Sequence, residues 1–225
     1  MNYKVINPEE IKHIYNEDEY LVRDKEDGKI YKLLIFREYS PENPREWDHL
    51  CTIVSPCTRD WDIADEEHHM ERDEFGEWLK ATKNNPDICW KLIYMYDHSG
   101  QTISISDFGD PWDSGICGAI YVTKERIFAE CGGITEENWK ERANEYIDVE
   151  VKEFDSYIRG DVFGFKLLEC YEMEHKNLKT GEISRSLEWE EKDSCCGFYG
   201  DNPNKNGLFE EMGVPKFYEI IEEEK

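Results

Sequence analysis

Positive charge is scarce in this 225-residue sequence: 27 Lys and Arg face 52 Asp and Glu, a formal net charge of −25 at pH 7. The basic residues are spread singly among acids and form no cluster. That absence argues against direct binding of nucleic acid, whose phosphate backbone is gripped by grouped cations that release its counterions. No apolar run approaches the roughly 20 residues that cross a bilayer, so no membrane partner is expected. The first residues lead straight to a helix cap at Asn7 and carry no export signal. The 8 Cys form no disulfide-like framework and include no C-x-x-C. A zinc knuckle therefore has no support, and the expectation is reduced thiols in a cytoplasm. Also missing are G-x-S-x-G, the phosphate loop G-x-x-x-x-G-K and the dinucleotide G-x-G-x-x-G. Nucleophilic catalysis gains little from the sequence, and no cofactor is expected, a zinc ion being the one exception worth testing.

What is present speaks for a folded protein. Aromatic residues make up 13% of the chain, with 7 Trp and 13 Tyr, whereas disordered acidic chains lack them. The length is enough to bury a core in one domain. Residues 89–127 hold the clearest pattern. An apolar run at 89–96 suits a strand buried on both faces. The turn His98-Ser99-Gly100 follows, then alternation over 101–106 with Ile103 and Ile105 on one face. Gly109, Pro111 and Gly115 break that strand and make 107–115 a loop. A third strand spans 116–122, and Thr123 caps a short helix.

Before this core, Asn7-Pro8-Glu9-Glu10 predicts a short helix to Tyr15. Residues 19–24 and 29–38 form a hairpin about Gly28, 50–54 a short strand and 73–83 a helix. After it, Trp139, Ala143, Ile147, Val151, Phe154 and Ile158 predict a long amphipathic helix over 135–159, ended by Gly160. Strands follow at 161–175 and 183–190, and 214–224 is expected to close the chain as an amphipathic helix. The class is α+β: a single domain, mainly antiparallel sheet, with one long amphipathic helix and a C-terminal helix. Its parts are 1–88, a core at 89–201, and 202–225.

Three constellations carry chemistry. Glu137, Glu141, Glu145 and Asp148 form a stripe opposite the apolar face of the long helix. Four residues of helix rise about 6 Å, so such carboxylates repeat at about the interval of backbone phosphates and can satisfy the same Arg and Lys forks. Asp65, Glu66 and Glu67 make a second acidic patch, and acids also gather at 17–19, 60–67, 71–77 and 222–224. The bland alternative is a solvated, solubilising face. Asp97, His98, Asp107, Asp110 and Asp113 surround the central loop and are candidate metal ligands or acid–base groups, although acidic loop residues also build turns. Cys51 and Cys57, with His68 and His69 downstream, have the residue types of a zinc site without its spacing; small core residues are the plainer role for these thiols.

The motifs YDHSG at 96–100, WDSGICGAIYVTKERI at 112–127, FDSYIRGDVFGF at 154–165 and DSCCGFYGD at 193–201 resemble, in combination, a family of small acidic proteins. That family belongs to bacteriophages and integrative elements of Gram-positive bacteria, and its pattern reads YDHSG, WDSGQVGYIYV, YDxYLxGxVYGF, DSCWGFYG. The likeness covers residues 90–201. It departs at Ile116-Cys117, where the family has Gln-Val, and at Cys196, where Trp is common; upstream only EWDHLCTIV matches, loosely. The resemblance brings no catalytic residue. It implies a mobile-element protein in a bacterial cytoplasm, a setting in which accessory proteins inhibit host defence nucleases. Charge and context together lead to an expected anti-CRISPR or anti-restriction inhibitor. Its acidic, nucleic-acid-mimicking surface (Glu137, Glu141, Glu145, Asp148, Asp65, Glu66, Glu67) would bind a host nucleic-acid-binding protein or nuclease complex. A metal-dependent enzyme acting on a nucleotide or signalling molecule through the 97–113 loop is the alternative, and a structural or regulatory phage protein a third.

Overall fold

The computed structural model describes residues 3–15, 17–57, 61–65 and 68–223. In chain order the strands are β1 (Tyr3–Ile6), β2 (Glu17–Asp24), β3 (Ile30–Arg37), β4 (Thr52–Val54), β5 (Ile88–Asp97), β6 (Gln101–Ser104), β7 (Ser114–Thr123), β8 (Val162–Lys176), β9 (Ile183–Tyr199) and β10 (Tyr218–Glu223). The helices are α1 (Arg72–Lys83), α2 (Lys124–Glu130), α3 (Trp139–Arg159) and α4 (Leu208–Met212). The α+β class, with antiparallel sheets, is as the sequence implies. Contacts divide the chain into two compact units, Met1–Pro41 with Gly160–Lys225, and Glu42–Arg159. These divisions do not coincide with the sequence parts 1–88, 89–201 and 202–225, because strands from both chain ends share one sheet.

In the unit 42–159 the sheet order is β4-β7-β5-β6. Ile93, Met95, Ile103 and Val122 cluster with Trp139, Ala143, Ile147, Val151 and Phe154 of α3. Ala119, Val54, Leu92 and Tyr121 cluster with Phe75, Trp78 and Leu79 of α1. The central strands β5 and β7 are thus covered on both sides, which is why their sequences read as apolar runs. Strand β4 approaches β7 so closely that a Cβ at position 118 would meet the Val54 carbonyl oxygen at 2.5 Å, so Gly stands there. The Thr123 hydroxyl accepts from the Arg126 N–H at 3.2 Å and caps α2 as expected. Gly160 follows α3 in the left-handed region, φ 69, where a Cβ would be strained.

In the other unit the sheet order is β1-β10-β2-β3-β8-β9. Val22, Tyr31, Leu33, Ile35, Phe163, Phe165, Leu167 and Ile220 line its core with Leu208, Phe209 and Met212 of α4. The expected closing helix over 214–224 is a correction: the segment supplies β10, hydrogen-bonded between β1 and β2. Ile220 and Ile221 are adjacent and both buried. Adjacent residues face opposite ways in a strand, so a site covered on both faces suits this pair better than a helix with one apolar stripe. The helix from Asn7 stops after one tight turn, Pro8–Glu10. Asn7 caps it, but Asn204 Nδ2 donates to the carbonyls of Pro8 (3.0 Å) and Ile11 (2.8 Å), which a longer helix would have used itself. The return strand does not end at 190. It runs to Tyr199, and the pairing absorbs two register shifts.

Candidate partner-binding surface

Helix α3 turns its apolar stripe inward because Trp139, Ala143, Ile147, Val151 and Phe154 recur at spacings of three and four. Its opposite edge is left to solvent. Glu141 and Glu145 are exposed on α3, and Glu137 is exposed in the turn that precedes it. Arg142 pairs with Glu145 at 2.5 Å, whereas no basic side chain among the described residues pairs with Glu137 or Glu141. Hydrogen bonds from the Thr135 side chain and the backbone hold the Glu137 carboxyl below its usual range, so its charge is secure at neutral pH. Asp148 departs from the stripe. It is half-buried, Lys91 Nζ lies 3.5 Å from its Oδ1, and that oxygen is shielded from water without a hydrogen-bond partner among the described residues.

Of the second predicted patch, only Asp65 lies within the described residues. Asp65 is buried, its side chain 6% exposed, and it grips Arg45 twice, from Nε at 2.8 Å and from Nη2 at 2.7 Å. It also accepts the Ile53 N–H at 2.7 Å. Glu150 completes the node: it accepts from Arg45 Nη1 at 2.8 Å and from the Leu50 N–H at 2.9 Å. Burial alone would push the Arg45 guanidinium down, but the two carboxylates outweigh it and the net shift is upward. A buried charge must be paired in this way or be very costly, so Asp65 serves the fold. Glu66 and Glu67 lie outside the described residues, as do Asp60 and Glu224 of the other acidic runs.

The carboxylates of the central loop and its approach are engaged by hydrogen-bond donors of the protein. Asp107 accepts the Gly109 N–H at 2.9 Å, and Asp110 accepts those of Trp112 (2.8 Å) and Asp113 (3.0 Å). The latter two bonds hold the Asp110 carboxyl below its usual range. Asp97 takes the indole N–H of Trp61 at 2.9 Å and the Gln101 amide at 3.2 Å. His98 Nδ1 stands 2.9 Å from Asp113. These are the bonds of Asx turns and a hairpin end. Among the described residues no group of three or more His, Cys, Asp or Glu is arranged to hold a metal ion.

Three of the eight thiols are placed as small core groups, Cys57 is partly buried against the same core, and Cys196 is exposed. Cys51, Cys89 and Cys117 are buried. Burial pushes the Cys117 thiol up to about 12 and raises those of Cys51 and Cys89, which suppresses the thiolate that ligation or attack requires. Two features had no sequence reading. A polar cleft of about 430 Å³ beside the Arg45 node is lined by Trp47, His49, Thr52, His68 and Arg126. Leu187 and Trp189 on β9 and Trp112 in the central loop are exposed; the alternation around Leu187 and Trp189 was the signal available for the first two. No helix among the described residues is long and apolar enough to cross a membrane. Comparison with protein-family models, with curated proteins and with solved structures finds no match.

Proposed function

We propose that the protein is an anti-defence inhibitor of a bacteriophage or integrative element. It acts in the bacterial cytoplasm by occupying the nucleic-acid groove of a restriction or CRISPR nuclease complex. The observation that carries this reading is the exposed carboxylates Glu141 and Glu145 on α3, with Glu137 in the turn before it, in a chain of net charge −25. Both units share the excess, with 27 acidic against 12 basic residues in 42–159 and 25 against 15 in the remainder. A cationic groove is drawn to such a surface over long range, so association is fast and weakens with salt. Arg and Lys forks that grip phosphates meet carboxylates at a similar repeat. The protein itself needs no cofactor for this and binds no nucleic acid.

The test is the triple reversal Glu137→Lys, Glu141→Lys, Glu145→Lys in a plasmid-interference or restriction assay. The expected result is loss of inhibition by roughly tenfold or more with thermal stability retained, as surface charges at an interface tune binding more than folding. Unchanged inhibition sinks the assignment. The metal-enzyme alternative through Asp97, His98, Asp107, Asp110 and Asp113 gains no favouring observation, since the Trp61 indole donates to Asp97 and the loop's own backbone donates to Asp107 and Asp110.

A further inference from the structure

The outer half of the β8–β9 hairpin is unused by the acidic-surface reading. Strand β8 pairs with β3 only as far as Glu169. From Cys170 to Lys176 its strand partner is β9, from Trp189 back to Ile183. Because β9 is the last strand of its sheet among the described residues, its far edge has no strand partner there to use its backbone donors and acceptors. A two-stranded ribbon is marginal in water and is stabilised by a third strand or a packed helix. The ribbon nevertheless has a well-made turn. Asn177 Oδ1 accepts from Lys179 (2.9 Å) and Thr180 (3.2 Å), and the Asn177 N–H donates to the Glu182 carbonyl at 2.8 Å.

Register assigns the faces. Trp189, Leu187, Arg185 and Ile183 lie opposite Cys170, Glu172, Glu174 and Lys176, and alternation puts all eight on one face. Leu187 is 72% exposed, Ile183 58% and Trp189 41%. Lys32 Nζ lies over the Trp189 ring, 4.7 Å from its centroid. Arg185 holds Glu174 at 3.3 Å and Glu172 at 3.9 Å, while Glu188 and Glu190 point to the opposite face. Natural edges are blunted by bulges, proline or charged side chains, of which 183–190 has only the last, in Arg185, Glu188 and Glu190. Here the register shifts fall between Phe163 and Phe165 and between Leu167 and Leu168. Opposite 169–176, the stretch 183–190 is regular and contains no proline.

We infer that this edge docks an extended segment of a cationic protein, which adds to β9 along residues 183–190 as a third strand. Backbone hydrogen bonds hold it, aliphatic side chains rest on Ile183, Leu187 and Trp189, and the Lys or Arg residues that alternate with them meet Glu188 and Glu190 on the opposite face. Charge selects the occupant. A second copy would bring another −25 to the same edge and is repelled, whereas a cationic strand is attracted. This inference rests on the proposed basic partner and supplies the anchor that charge alone lacks.

The experiment uses the full-length protein and a synthetic peptide of about ten alternating Arg and Val residues, long enough to lie along 183–190. A control peptide of the same length carries proline at every second position. Amide hydrogen exchange followed by NMR reads where each binds. The expected result is protection of residues 183–190 by the Arg-Val peptide alone. Replacing Leu187 and Trp189 by Ser weakens that binding by roughly tenfold, with exchange in β3 and β10 unchanged as the check on folding. Four results overturn the inference: no protection of 183–190, equal protection by the proline peptide, peptide contacts confined to α3, or protection that appears without peptide as the chain self-associates. The α3 triple reversal separates the two readings. Lost inhibition beside an unprotected edge retains the acidic surface and removes the docking strand, and unchanged inhibition beside a protected edge does the opposite.

Discussion

Asp65 and Glu150 lie around Arg45 with side chains 6% and 13% exposed, whereas Glu141 and Glu145 on α3 and Glu137 in the turn before it stand in solvent. Both sets belong to residues 42–159 and carry the same charge. In the first set the loss of one partner is costly, because it leaves another buried charge unbalanced. The second set adds self-repulsion, and its partners, Arg142 for Glu145 and Thr135 for Glu137, are local to the helix start. Carboxylates that hold a protein together and carboxylates available to a partner are therefore told apart by their partners, not by their number.

The sharpest way to break the contrast is Arg45→Met. It orphans Asp65 and Glu150 and should cost about 3–5 kcal/mol of unfolding free energy, read from urea denaturation. A loss below about 1 kcal/mol would mean that the node is a solvated surface pair. Next, Ile147→Ala tests the inward side of the helix that displays the acids. A fully buried side chain at this position predicts a cost of about 2–5 kcal/mol. Glu153 is an intermediate case. Burial first, then the neighbouring Glu150, raises its carboxyl above the ordinary value of 4.5, with Arg45 opposing. The folded state thus binds this proton more tightly than the unfolded chain. Its stabilising contribution is present below the ordinary carboxyl value and is lost as pH rises through the raised one. Glu153→Gln should therefore be more stable than the parent at pH 7, and the gap should close below about pH 4. The smallest effect belongs to Glu141→Lys with Glu145→Lys, expected within about 0.5 kcal/mol of the parent by thermal melting.

Where local periodicity settles structure, the sequence was readable. The stripe of α3, the Thr123 cap and the hairpin of β2 and β3 each depend on residues close in the chain. Other features depend on distant partners and leave no local mark. Arg45 reaches Asp65 across 20 residues and Glu150 across 105, so Asp65 read as surface charge. Residues 214–224 carry apolar spacing that suits a helix as well as a strand. The flanking edges of β1 and β2 decide the matter, and they come from the opposite end of the chain. The central loop read as a possible site because Asx turns employ the same aspartates that a metal would.

The central claim, that exposed acids stand in for nucleic acid, is tested most directly by affinity recovery from nuclease-treated host lysate. The parent protein and the α3 triple reversal are immobilised in parallel, and each column is eluted first with competing DNA or RNA and then with salt. The account predicts that the parent retains a nucleic-acid-processing complex which nucleic acid displaces, and that the reversal retains none of it. Equal recovery on both columns, or a complex that nucleic acid fails to displace, contradicts it.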